Sequence, residues 1–273
     1  MTRRDSETMR TGKAMPAVVM VIGGMDPSGG AGLCADIQTL SAMGCHAAPV
    51  VTAITVQNTV ELRSFQSVEA SLIEAQMRTV LDDLSPSVVK TGMLVNREII
   101  SVVSSVLGKH PEIKVIVDPV INSNNDERLS EGSLIVPLKK LLFPVASIIT
   151  PNILEARLLA GKEAAADDCA ALLSECNCMI TGTHAESTKV INAYYQRGRK
   201  LREWIWPRLK FEYHGSGCTL ASAIAAGVAH GLDMEQALEQ AQQFVINSLW
   251  AGFRPGHGQH IPGRLCHDDV FTN

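Results

Sequence analysis

Aromatic residues are scarce in this chain, at 4% of 273 positions. Surfaces that stack sugars or single-stranded bases need exposed rings, so neither class suits the composition. An excess of positive charge is also missing. The formal net charge is −4, which argues against a dominant phosphate-backbone footprint and leaves room only for a local basic pocket for a small anion. No apolar run reaches the roughly 18 residues of a membrane span. The opening stretch, MTRRDSETMRTGKAMP, lacks the apolar core of a secretory signal. No C-x-x-C occurs, although there are seven cysteines, Cys34, Cys45, Cys169, Cys176, Cys178, Cys218 and Cys266. An odd count in a chain long enough to fold without staples reads as reduced thiols in a cytoplasmic protein. Two nucleotide signatures are absent too. Neither G-x-G-x-x-G nor G-x-x-x-x-G-K-[ST] is present, which excludes a Rossmann fingerprint and a Walker loop.

What is present is an alternation. The run AVVMVIGG, ending at Gly24, reads as a buried parallel strand. A Gly- and Pro-rich loop follows, then a helix marked by Leu33, Ile37 and Leu40 with Gly44 at its end, then a second buried strand over 48–56. Ile73, Met77, Val80, Leu81 and Leu84 share a helical face, with Ser71 and Glu74 spaced as a capping box. Ile99, Val102, Val103 and Val106 mark another helix. KVIVDPV, ASIITPN and CMITGTH read as further strands, and two β-rich runs around Arg197–Arg199 as a hairpin near 190–206. A helix follows Cys218, and a last one runs from about Asp233 to Ala251. No repeat or linker interrupts this. The reading is one α/β domain over 17–262, with tails at 1–16 and 263–273. In doubly wound sheets ligands sit beyond the carboxyl ends of the strands, and the polar clusters around Gly24–Gly32, Gln57, Met93, Asp118, Asn152–Glu155 and Thr181 all fall there.

The segment HGSGCT carries the most chemistry. Gly215 and Gly217 permit a turn that larger residues resist. The amides of Gly217, Cys218 and Thr219 would enter the helix unpaired, which suits an anion; the plainer alternative is a turn before an ordinary core helix. At such a helix start the Cys218 thiol is expected to have a lowered pKa. Asp118, with Asn152 and Glu155, ends neighbouring strands, where acids near phosphate hold Mg²⁺ through water; each also suits a cap or turn, Asn152 above all. His257, His260, Cys266 and His267 invite a zinc reading, but their spacing is not that of a finger.

GGMDPSGGAGLCADIQTLSAMG, TAITVQNT, KTGML, DPV, ITPNILEA, HGSGCT and GHG occur in the order found in hydroxymethylpyrimidine (phosphate) kinases of thiamine biosynthesis, and the chain resembles that family from Val18 to Pro262. The resemblance implies a ribokinase-like fold, with a mostly parallel central sheet between two helical layers, and a homodimer. It implies ATP and Mg²⁺, a small pyrimidine as substrate, and neither nucleic acid nor membrane as partner. Gln57 matches the glutamine that hydrogen-bonds the aminopyrimidine, and Gly24, Asp36, Met93 and Val120 match the pocket lining. Cys218 matches the cysteine beside the substrate hydroxymethyl, and Gly215 and Gly217 the anion hole. Asn152 and Glu155 match the element associated with Mg²⁺–ATP, with Asp118 a further metal position and Ser216 and Thr219 nucleotide contacts. The sequence departs from the family at Thr181, where a lysine is common, and in INSNNDERL after DPV. Two rivals follow: a pyridoxal kinase of the same fold, and a pyrimidine-binding relative without turnover.

Overall fold

The computed structural model describes residues 15–121, 130–183 and 187–265. Most of the 1–16 tail, most of INSNNDERL, His184, Cys266 and His267 lie outside them. The strands form one nine-stranded sheet in the order β3-β2-β1-β4-β5-β6-β7-β8-β9. At its centre are β1 (Val18–Met25), β2 (His46–Gln57), β4 (Val88–Thr91), β5 (Lys114–Val117), β6 (Ile148–Ile149) and β7 (Cys178–Thr181), which pair in parallel. The edges are antiparallel: β3 (Leu62–Ser67) beside β2, and the hairpin β8 (Lys189–Gln196) and β9 (Arg199–Pro207) beside β7. The expected hairpin is thus part of the main sheet. Its turn places Arg197 at φ 49° and Gly198 at φ 77°, the geometry that matches the twist of the flanking strands.

Alternation along β1 divides the interior in two. Met20 and Ile22 face one core and Val19 and Val21 the other, all fully buried. The first core is covered by α2 (Ala70–Leu84), α3 (Arg97–Leu107), a short α4 (Ile135–Pro137) with the irregular turns after it, α5 (Ile153–Ala160) and α6 (Ala166–Leu172). The second is covered by α1 (Gly32–Ala42), α7 (Ser216–Ala229) and α8 (Met234–Trp250). This is the expected three-layer, mostly parallel architecture. Ala221, Ala223, Ala225 and Ala226 of α7 are fully buried. A Cβ at Gly227 would come 3.1 Å from Ala237, so the small residues let α7 and α8 approach closely. Strand β3 went unread because its alternation is weak and its residues are half-buried or exposed. The capping box expected at Ser71 and Glu74 is not formed. Helix α2 starts two residues earlier, after Glu69, with no side-chain cap, and Glu74 pairs with Arg78 one turn on at 2.5 Å.

The expected boundary at 263 also moves. Arg264 is 3% exposed. Its guanidinium donates to Thr219 Oγ1 at 2.8 Å, Gln38 Oε1 at 3.1 Å and the Gly30 carbonyl at 2.6 Å. An arginine is buried only where its donors are matched, so the folded unit includes residue 264.

Candidate active site

Two cavities open at the carboxyl ends of the parallel strands. The first, about 220 Å³, is bounded by β1, β2, β4, β5 and the start of α7. The second, about 290 Å³, lies between the β8–β9 hairpin and α8, with Asn192, Trp206, Arg208, Phe211, Gln242 and Gln259 among its walls. They meet at Thr181, Thr183, Ser216, Gly217 and Leu220.

The junction is the N-terminus of α7. Gly215 stands before it at φ 82°, a left-handed conformation open to glycine. A Cβ there would overlap the Gly30 carbonyl oxygen. Gly217 differs, because a Cβ on it would meet nothing within 4 Å. The first turn therefore presents its free amides across open space where two cavities converge, an arrangement suited to an anion.

Gly24, Asp36, Gln57, Met93, Asp118, Val120, Asn152, Glu155, Gly215, Ser216, Gly217 and Cys218 all line the first cavity. Neighbouring groups set the state of three of them: Asp36 and Asn152 already have partners, Asn152 in the cap its sequence position allowed, and Cys218 departs from expectation. Asp36 is fully buried. Its oxygens accept from Lys90 Nζ at 2.9 and 3.0 Å and from Ser222 Oγ at 2.7 Å, so it supports the floor and has little left to offer a ligand. Cys218 does not have a lowered pKa. Burial pushes its thiol up to about 12; Lys90 opposes this, but the charges of Asp118 and Asp36 reinforce it. Desolvation and two acids outweigh the helix terminus. Asn152 spends its side-chain oxygen on the cap of α5, accepting from Leu154 N at 2.9 Å and Glu155 N at 3.0 Å. Thr219, expected to contact nucleotide, lies outside the cavity lining. It is fully buried, and its hydroxyl donates to the Gly215 carbonyl and accepts from Arg264.

Glu155 completes the cap, accepting from Asn152 N through Oε2 at 2.9 Å. Burial raises its pKa, and the charge of Asp118 raises it further. Asp118 is raised as well, by burial and by Asp36, with Lys90 acting against them. Asp118 and Glu155 are thus two buried carboxylates in the wall of one cavity, each disfavouring the other's ionisation. Mg²⁺ is commonly held by one or two carboxylates together with water and substrate phosphates, so this donor set fits that ion. Among the described residues no group of three or more His, Cys, Asp or Glu side chains could hold a metal. His260 stacks on Phe211 at 4.3 Å between ring centroids, a packing role.

Four residues at the site were not singled out from the sequence. Lys90 is fully buried and ion-paired to Asp36. Burial disfavours its charge, but Asp36, Cys218 and Asp118 more than compensate and its pKa is raised. A lysine inside the apolar run SVVKTGM was a readable sign of such a pair. Asp26, His214 and Arg264 complete the set. His214 Nε2 lies 2.9 Å from Asp26 Oδ2 and 3.0 Å from the Gln57 amide. Their contacts span far-separated segments, which no local pattern announces.

The model of the family described as phosphomethylpyrimidine kinase matches residues 26–263. The chain belongs to the phosphomethylpyrimidine kinase family. It is 33% identical over 256 residues to a Rhizobium meliloti hydroxymethylpyrimidine/phosphomethylpyrimidine kinase, covering 90% of this chain and 95% of that one. A phosphomethylpyrimidine kinase structure from Clostridium difficile superposes with TM-score 0.73 at 31% identity, covering 85% of this chain and 99% of that one. A pyridoxal kinase from Staphylococcus aureus, in complex with AMP-PCP, superposes with TM-score 0.83 at 27% identity over 94% and 96%. The chain is thus a phosphotransferase of ribokinase-like fold.

Proposed function

We propose that this kinase transfers the γ-phosphoryl of ATP to the hydroxymethyl group of 4-amino-5-hydroxymethyl-2-methylpyrimidine, and then phosphorylates the monophosphate, supplying thiamine biosynthesis. The observation that carries the reading is the junction of two cavities at Ser216 and Gly217. In this reading the pyrimidine occupies the first cavity against Gln57, Gly24, Met93 and Val120, and the nucleotide the second. The transferring group lies between them over the amides of Gly215–Cys218. Phosphoryl transfer asks a protein for positioning and charge stabilisation more than for covalent chemistry, and each well-placed amide donor supplies roughly 3 kcal/mol in the transition state. Cys218 stays a protonated thiol, so it acts as a hydrogen-bond donor or a packing group beside the attacking hydroxyl. Asp118 and Glu155 would hold Mg²⁺ through water, where the ion neutralises charge on the nucleotide phosphates. Thr181 removes the family lysine, and Arg208 is a cation in the wall of the nucleotide cavity, donating to the Gly182 and Thr183 carbonyls.

Two further expectations belong to this reading. Ile54, Val56 and Val60 are 60%, 55% and 49% exposed on and after β2, an apolar surface that a second copy would cover in a homodimer. The cysteines among the described residues are all free thiols, which supports a reducing, cytoplasmic setting. No helix among the described residues is long and apolar enough to cross a membrane.

Mass spectrometry of a reaction with ATP, Mg²⁺ and the hydroxymethylpyrimidine tests the proposal. Mono- and then diphosphate products are expected. Monophosphate alone would restrict the enzyme to one step. Faster turnover of pyridoxal than of the pyrimidine would favour the kinase seen in the Staphylococcus aureus structure, and no ATP consumption with either would leave a binding protein.

A further inference from the structure

Asp26 sits in the glycine-rich loop between β1 and α1 with its side chain 3% exposed. Its Oδ1 accepts from Ser28 N at 2.8 Å. Its Oδ2 accepts from Ser28 Oγ at 2.9 Å and from Ala31 N at 2.8 Å. His214 Nε2 lies 2.9 Å from the same Oδ2. Burial works against the Asp26 charge, but the hydrogen bonds from His214 and Ser28 prevail and hold its pKa below the ordinary value. Asp26 is therefore an ionised, acceptor-only group.

The chemistry of the next link follows. An imidazole nitrogen facing a carboxylate carries the hydrogen, and a nitrogen that carries hydrogen has no free lone pair in the ring plane. The structure places Gln57 Nε2 3.0 Å from that nitrogen, which would set two donors face to face, so the amide must turn to present its oxygen instead. Amide oxygen and nitrogen exchange places on a half-turn of the side chain, and the hydrogen-bond network decides between them. The ring of His214 has little freedom to choose otherwise. A Cβ on Gly30 would overlap its Cδ2, so it is packed against the loop, and its own backbone amide donates to the His260 carbonyl at 2.8 Å.

We infer that His214, locked by Asp26, is a positioning residue that fixes the Gln57 amide with its oxygen toward the imidazole and its NH₂ toward the cavity. Gln57 then meets the ligand as a donor, suited to a heterocycle with an acceptor ring nitrogen at that edge. The inference rests on Gln57 reading the substrate ring, as proposed above. Because His214 immediately precedes Gly215, it joins the wall that chooses the ring to the amides that receive the phosphoryl group.

The test uses the full chain with Gln57→Ala, His214→Ala, His214→Gln and the double variant Gln57→Ala/His214→Ala, assayed with ATP, Mg²⁺ and the hydroxymethylpyrimidine. His214→Ala is expected to raise KM for the pyrimidine about tenfold, with KM for ATP and kcat moving less than about threefold. His214→Gln, which restores a donor to Asp26, is expected to recover most of the loss. The double variant should be no worse than Gln57→Ala, because residues acting through one contact are not additive. Preference for the pyrimidine over pyridoxal should narrow in His214→Ala. If Gln57→Ala raises KM and His214→Ala does not, or if the two losses simply add, the positioning role is overturned while the reading of Gln57 stands. If Gln57→Ala itself leaves KM unchanged, the reading of Gln57 fails and takes the inference with it. Thermal melting identifies any variant that fails to fold, and His214→Gln then decides through the same KM comparison.

Discussion

Cys218 shows how local and global electrostatics compete at a single atom. A helix start favours a thiolate, yet the thiol lies against Asp118 and Asp36 in a desolvated setting and is pushed up to about 12. Between pH 6 and 9 it remains protonated, so the pH–rate profile should show no limb from thiol ionisation. Cys218→Ser should keep kcat within about tenfold, and iodoacetamide should inactivate more slowly than it alkylates free cysteine. A fast, pH-dependent alkylation would contradict this. Asp26 gives the opposite case. Its folded pKa lies below the unfolded value of about 3.8, so it contributes stability above that value and loses it as pH falls through the folded pKa. Asp26→Asn should flatten the acid limb of a denaturant-stability curve, and an unchanged limb would remove Asp26 from the acid response.

At the scale of elements, the loop into α7 separates two uses of glycine. Gly215 has a positive φ and no room for a Cβ, whereas Gly217 has room. Gly215→Ala should therefore destabilise by about 2 kcal/mol or more. Gly217→Ala should leave the melting temperature nearly unchanged but cut kcat about a hundredfold, by placing a methyl in the phosphoryl site proposed above. Equal effects on stability and turnover in both variants would undo the distinction. Helix α5 carries a related double role, because Glu155 caps its own helix and faces Asp118. Glu155→Gln keeps an acceptor for the Asn152 amide, so the fold should persist while the Mg²⁺ concentration for half-maximal rate rises about tenfold. An unchanged Mg²⁺ requirement would assign Glu155 to the cap alone.

On the scale of the whole molecule, buried charge ties distant segments together. Arg264 links the Gly30 loop, α1 and α7, and Lys90 of β4 links Asp36 of α1 to the cavity floor. Removing one side of such a set leaves the other buried and unmatched, at a cost of about 3–5 kcal/mol. Arg264→Ala should lower the melting temperature by on the order of 10 °C and depress turnover with it, since the Gly30 and Gly215 carbonyls it holds flank the start of α7, the phosphoryl site proposed above. A melting temperature within a degree or two of the parent would show the clamp to be dispensable. The alternating layers, the hairpin and the glycine turn at residue 215 were legible in the sequence, because period, apolar runs and turn chemistry are local properties that neighbouring residues declare to one another. The gathering of Gly24, Gln57, Met93, Asp118, Val120 and Cys218 around one cavity was legible in outline, because parallel strands deliver their carboxyl ends to one side of a sheet. What only the tertiary structure decided was the state of those groups: which carboxylate already had a partner, that His214 came within reach of the Gln57 amide, and whether Cys218 kept its proton. Such states depend on desolvation and on charges brought within a few ångströms from segments far apart in the chain, and no run of neighbouring residues encodes those distances.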